Sequence, residues 1–147
     1  MTSFRPMINI QEEYNNGRRD FSNIDLNYTN QLKLNLEGAI FRQANLEGVI
    51  LRYSHLRQSS FFYANLTNSD LRKTDLSGAN LERAILKGAD LSGATLRFAN
   101  LSGADLTRAN LSGADLREAN LRGVKLNYTY LRGANLKRTL LDNYRLV

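Results

Sequence analysis

Large apolar residues recur along this chain with a period of five. Every position whose number ends in 1 or 6, from Phe21 to Leu146, is Leu or Phe, with Gln31 the sole departure. Two residues before each of these centres stands a small side chain. From Ala39 to Thr139 every such position is Ala, Ser, Thr or Val. The residue just before the centre is Asn or Asp in 16 of 26 units, and nine of the ten glycines fall two residues after a centre. The unit reads small, Asn/Asp, Leu, polar, Gly or polar, as in Ala104-Asp105-Leu106-Thr107-Arg108.

A period of five fits neither common element. On a helix, successive leucines would be rotated by about 140° and spiral around the axis. On a flat strand of period two, an odd repeat would send them to alternate faces. The unit must turn a corner every five residues and bring each leucine back to the same interior. Small and large inward residues two apart match one short strand-like side. Asn, Asp and Gly between them tolerate the positive φ that corners demand. Phe21, Phe41 and Phe61 are spaced by 20. If four units close one coil, the three rings lie above one another on one side. The spacing predicts a four-sided coil of 20 residues.

The run Ala79-Asn80-Leu81, Ala89-Asp90-Leu91, Ala99-Asn100-Leu101 and Ala109-Asn110-Leu111 resembles the signature of the pentapeptide repeat family. The resemblance covers about Asp20 to Leu146. It implies an all-β fold, a right-handed quadrilateral parallel β-helix with the central Leu or Phe and the small residue inside. Phe21, Phe41, Phe61, Leu81, Leu101 and Leu106 are then core. It also implies a small, cyanobacterial-type member of a family in which some proteins protect DNA gyrase or regulate cell differentiation, and most have no assigned activity. The 26 units make about six and a half coils, a rod on the order of 30 Å long. Residues 20–147 form this β-helix and residues 1–19 a non-repeat segment.

A rod of this kind has two strand edges to protect. At the first coil the rules fray: Ile24 and Leu34 occupy small-residue positions and Gln31 a centre. These bulky residues plug that end, and residues 1–19 either cover it or are disordered. Ile10 to Tyr14 reads as a helical turn or a strand. At the other end Leu140, Leu141, Tyr144 and Leu146 are apolar or aromatic. Either Tyr144 plugs the last coil, or this end packs against a second copy to make a homodimer.

Composition removes most chemistry. With no cysteine and one histidine, neither a disulfide framework nor a thiolate or His-based metal site is expected, and no cofactor is implied. No apolar run approaches the length of a membrane span, and Met1 to Asp20 lacks a signal-peptide core. A cytoplasmic protein without membrane insertion is the expectation. His55 falls in an Asn/Asp slot on the outside. Asp20, Asp25, Asp70, Asp75, Asp90, Asp105 and Asp115 share that slot with Asn, which points to corner hydrogen bonding rather than acid–base work. The expectation is a protein that is not an enzyme.

The surface is what remains. The two positions after each centre carry 15 of the 20 Lys and Arg residues but five acids, and the net charge is +6. On one face of the four-sided coil Arg57, Arg97, Arg117 and Lys137 line up, with Arg138 beside them. A second face carries Lys33, Arg52, Arg72, Lys73 and Arg132. Such files either keep the rod soluble or bind an anionic partner. Aromatic interleaving is sparse, with Phe98 beside Arg97 and Tyr53 beside Arg52. A positive charge argues against the DNA mimicry by which gyrase-protecting relatives are understood to act. The sequence favours a rigid scaffold for an unknown protein partner, with a regulatory role of the kind the resemblance implies. Weak nucleic-acid or polyanion binding is the alternative.

Overall fold

The computed structural model describes residues 8–142. Parallel pairing joins residues 20 apart without interruption, from Asp20 with Ile40 to Asn120 with Leu140. Four units therefore complete each circuit, as the phenylalanine spacing predicts, and the chain winds a four-sided β-helix.

The repeat unit is a hydrogen-bonding device. Around Leu81, three backbone bonds run to neighbouring coils: Asn80 N–H to Ser59 O at 2.8 Å, Leu81 N–H to Asn100 O at 2.7 Å, and Arg83 N–H to Ser102 O at 2.9 Å. A fourth closes the corner, Ala84 N–H to Leu81 O at 3.0 Å. The third residue of this turn, Arg83, has φ of 54°, the left-handed position of a type II turn. The fifth N–H, that of Glu82, has no backbone acceptor and is met by Asn80 Oδ1 at 3.0 Å. Fourteen slot residues make the same bond to the N–H two residues on, including all seven aspartates the sequence singles out. The Asn/Asp preference is thus the completion of the corner.

Inside, the centres and small residues form one apolar column, with Leu81, Leu101 and Leu106 fully buried. The rings of Phe21, Phe41 and Phe61 stack as expected, 5.4 and 5.2 Å apart. The Arg18 guanidinium lies 4.8 Å above the Phe21 ring and ends the stack. Ile24 is buried in its small-residue position. At the Gln31 departure the corner opens. Leu34 N–H bonds to the Ser54 hydroxyl of the next coil at 3.0 Å instead of turning back on the centre.

Helix α1, Ile10–Asn15, lies against the first coil, and the helical alternative for this segment is the one adopted. Asn9 caps it by accepting the Glu12 N–H, and Ile10 is buried. The Gln11 side-chain amide pairs with the Asn35 backbone as a strand would. Its Oε1 accepts the Asn35 N–H at 2.7 Å and its Nε2 donates to Asn35 O at 3.1 Å. Tyr14 donates its hydroxyl to Glu37 O at 2.8 Å. Side chains of α1 thereby satisfy edge groups that a preceding coil would otherwise meet. At the far end Leu126, Leu131 and Leu136 are half-buried, as are Leu140 and Leu141. Tyr144 and Leu146 lie outside the described residues.

A fully buried leucine contributes roughly 1.5–3 kcal/mol, and a charge in its place is desolvated without a partner. Leu106→Arg is expected to abolish cooperative thermal unfolding followed by circular dichroism. Leu106→Met should cost less than about 1.5 kcal/mol. A Leu106→Arg melt that matches the parent would refute the lumen position.

Candidate interaction surface

Side chains after each centre project from the corners, and those one coil apart stand about 5 Å from each other. Four vertical files result, and several of their cations pair with slot aspartates along the rod. On the face of Leu36, Arg57 lies 3.8 Å from Asp75. Arg117 grips Asp115 with both sides of its guanidinium, Nε to Oδ1 at 2.8 Å and Nη2 to Oδ2 at 2.5 Å. Arg97 stacks on Phe98 at 5.4 Å, and its Nε makes no hydrogen bond. Arg97, Arg117, Glu118, Lys137 and Arg138 line a shallow hollow of about 180 Å³. Four of the five basic residues grouped from the sequence thus meet at one place, and Arg57 stands apart with its aspartate.

In the second basic file two arginines share one aspartate. Asp70 takes Arg72 through two bonds of 2.9 and 2.8 Å and Arg52 at 3.3 Å. Tyr53 receives Lys73 at 5.8 Å, not Arg52, because Arg52 is held by Asp70. Cation–aromatic pairs are also more numerous than adjacency in sequence suggests. Arg42 lies over Phe62, Arg83 over Tyr63 and Arg108 over Tyr128, each pair joining neighbouring coils.

A third place was not legible as a site. Tyr63, Arg83, Ile85, Lys87, Asp105 and Lys125 surround a hollow of about 420 Å³. Lys87 and Lys125 share Asp105 at 3.5 and 3.9 Å. The signal available in the sequence was that Ile85 and Lys125 break the Asn/Asp rule in one vertical column. Among the described residues no group of three or more His, Asp or Glu side chains is placed to hold a metal ion.

The carboxyls of Asp70, Asp105 and Asp115 have lowered pKa values. Hydrogen bonding by Arg117 holds the Asp115 carboxyl below its ordinary value of 3.8. Burial raises the pKa of Asp70 and of Asp105, but hydrogen bonds from Arg72 and Thr107, with the nearby cations, outweigh it and leave both lowered. A lowered folded pKa means these groups contribute stability fully above the unfolded value and lose it as pH falls through the folded one. The melting temperature should therefore be level from pH 8 to 5 and decline below about pH 4. The triple substitution D70N/D105N/D115N, which keeps the corner acceptor, should soften that decline. An unchanged acid slope in the triple variant would contradict this assignment.

The sequence matches the model of pentapeptide repeats, in eight copies, over residues 39–78, 74–113 and 99–138. Rfr23, a pentapeptide repeat protein from the cyanobacterium Cyanothece 51142, is 33% identical over 84% of this chain and 92% of its own, with a TM-score of 0.39. A pentapeptide repeat protein of the Arabidopsis thaliana thylakoid lumen is 32% identical over 68% of this chain and 66% of its own, with a TM-score of 0.45. HetL of Nostoc sp. strain PCC 7120, involved in heterocyst differentiation regulation, is 22% identical over 94% of this chain and 98% of its own, with a TM-score of 0.31. No curated protein matches. The repeat match over most of the chain and the identity to Rfr23 agree with the five-residue corners described above, and the chain belongs to the pentapeptide repeat family of right-handed quadrilateral β-helices.

Proposed function

We propose that this protein is a non-enzymatic, rigid scaffold that docks a protein partner on its flat faces. Within the 20–147 repeat region the described coils supply the rod, and within the 1–19 segment helix α1 covers its first edge. The observation that carries the reading is the placement of exposed aromatic and aliphatic side chains. Tyr53, Tyr63, Ile85, Phe98, Tyr128 and Tyr130 stand on the outside at 40% exposure or more. Four of them stand against a cation, Lys73, Arg83, Arg97 or Arg108. Tyrosine and arginine in such settings are the side chains that dominate protein interfaces. Pairing of the basic files with Asp70, Asp75 and Asp115 also weakens the case for a polyanion. A regulatory role, of the kind ascribed to HetL, is part of this proposal, and the +6 charge disfavours DNA mimicry.

The hollow at Arg97, Arg117, Lys137 and Arg138 supports the second reading, weak binding of nucleic acid or another polyanion. An end-to-end contact between two copies is compatible with either and is favoured by the half-buried Leu126, Leu131 and Leu136. Salt separates the two readings, because each phosphate contact releases counterions. Affinity capture from native lysate is expected to retain a protein partner at 200 mM salt, with R97E/R117E as the control. Binding confined to nucleic acid and lost steeply between about 50 and 200 mM salt would overturn the scaffold in favour of the polyanion reading.

A further inference from the structure

We propose that the hollow between Tyr63 and Lys125 is the docking site for an acidic segment of a partner protein that carries an aliphatic side chain. The inference rests on the scaffold reading and adds the place and the chemistry of the partner. Its starting point is a double break in the repeat. Along the column Asn45, Asn65, Ile85, Asp105, Lys125 the slot residue should accept the N–H two residues on, as Asp105 does for Thr107 at 3.0 Å. Ile85 has no acceptor to offer and Lys125 none either. The chain gives up two corner bonds on either side of one that it keeps, and in exchange it places an aliphatic group and a cation on the surface.

What those substitutions build is coherent. Ile85 is 40% exposed and Tyr63 is 42% exposed, which makes an apolar floor. Arg83 donates to the Tyr63 hydroxyl and lies 5.6 Å from its ring centre, so it is fixed along one wall. Gly103 makes room for it, since a Cβ there would stand 3.2 Å from Arg83 Cγ. Lys87 and Lys125 form the other rim, both on Asp105. Lys87 and Lys125 thus share one carboxylate that is only 14% exposed, and Arg83 adds a third cation to the lining. The surplus positive charge surrounds an aliphatic floor.

Charge complementarity selects the occupant. The faces of a second copy, with 15 Lys or Arg against five acids at the positions after the centres, are a poor match for a basic rim. A single strand would stack its bases on aromatic faces, whereas the Tyr63 ring here already lies against Arg83 and the rest of the floor is the aliphatic Ile85. A peptide whose carboxylates meet Arg83, Lys87 and Lys125 while a leucine-like side chain rests on Ile85 satisfies both features.

The test uses the full chain and a fluorescein-labelled peptide of Glu and Asp with one central Leu, read by anisotropy at 150 mM salt. A peptide with Glu in place of the Leu and an oligothymidylate of equal length are the comparison probes. Ile85→Asn and Lys125→Asn both restore the repeat residue, so each should fold at least as well as the parent. Ile85→Asn is expected to weaken the Leu peptide about tenfold and leave the all-acidic peptide unchanged. Lys125→Asn should weaken both peptides by about threefold. Equal binding of the Leu peptide to the parent and Ile85→Asn, or no binding by the parent, overturns the proposal. Retention of a salt-tolerant lysate partner by I85N/K125N would remove this site and leave the scaffold standing. Tighter binding of oligothymidylate than of the Leu peptide would remove both.

Discussion

Five backbone N–H groups enter each interior repeat, and in units such as that of Leu111 only four meet a backbone carbonyl. The fifth, on the residue after the centre, is met by the Asn or Asp side chain two residues earlier, as in Ser112 N–H to Asn110 Oδ1 at 3.0 Å. A chain that turns every five residues hides its centre and small residue inside and must satisfy each polar backbone group at the corner. The slot bond closes that requirement locally. The coil-to-coil ladder, the leucine column and the 20-residue register then follow from repeating it. The one proline of the chain, Pro6, falls outside the repeat, and a proline has no N–H to offer such a corner.

The corners also carry a conformational cost. Every third corner residue is left-handed, and 15 of these positions are not glycine. None of the 15 is β-branched, which would be the most strained choice there. Where glycine is used it sometimes has a specific neighbour. At Gly48 a Cβ would stand 2.4 Å from the Tyr28 ring, and that ring lies across the corner to bring its hydroxyl to Glu47 at 2.7 Å. The relation between slot and corner extends to the surface. Where the slot is not Asn or Asp, the residue two further on is often a cation: Arg42, Arg52, Arg57, Lys87, Arg97 and Arg132. Some surface cations, Lys87 and Arg97 among them, thus sit at corners that forgo the slot bond, whereas Arg117 and Lys137 sit at corners that keep it.

Much of this was legible in the sequence because the repeat repeats its own environment. The spacing of Phe21, Phe41 and Phe61 fixed four sides, and the interchange of Asn with Asp identified a hydrogen-bonding role. What the sequence does not show is which surface partner each side chain takes. Arg52 has Tyr53 as its neighbour in the chain, but Asp70 lies next to it one coil on and claims it. Arg83 meets Tyr63 for the same reason, at a separation of 20 residues. The hollow at Ile85 depends on both kinds of neighbour and on the Cβ missing at Gly103. The Gln11 amide, standing in for a strand on Asn35, likewise comes from outside the repeat, where no periodicity guides the reading.

Amide hydrogen exchange measured residue by residue tests the central claim within a single sample. The N–H groups of Ser92, Ser102, Thr107 and Ser112 follow Asn or Asp and are bonded to it. They should be protected to nearly the same degree as those of the neighbouring centres Leu91, Leu101, Leu106 and Leu111. The N–H groups of Arg42, Arg52 and Lys87 follow isoleucine and should exchange much faster than those of Phe41, Leu51 and Leu86. Equal protection in the two sets would contradict the claim that the slot side chain completes the corner.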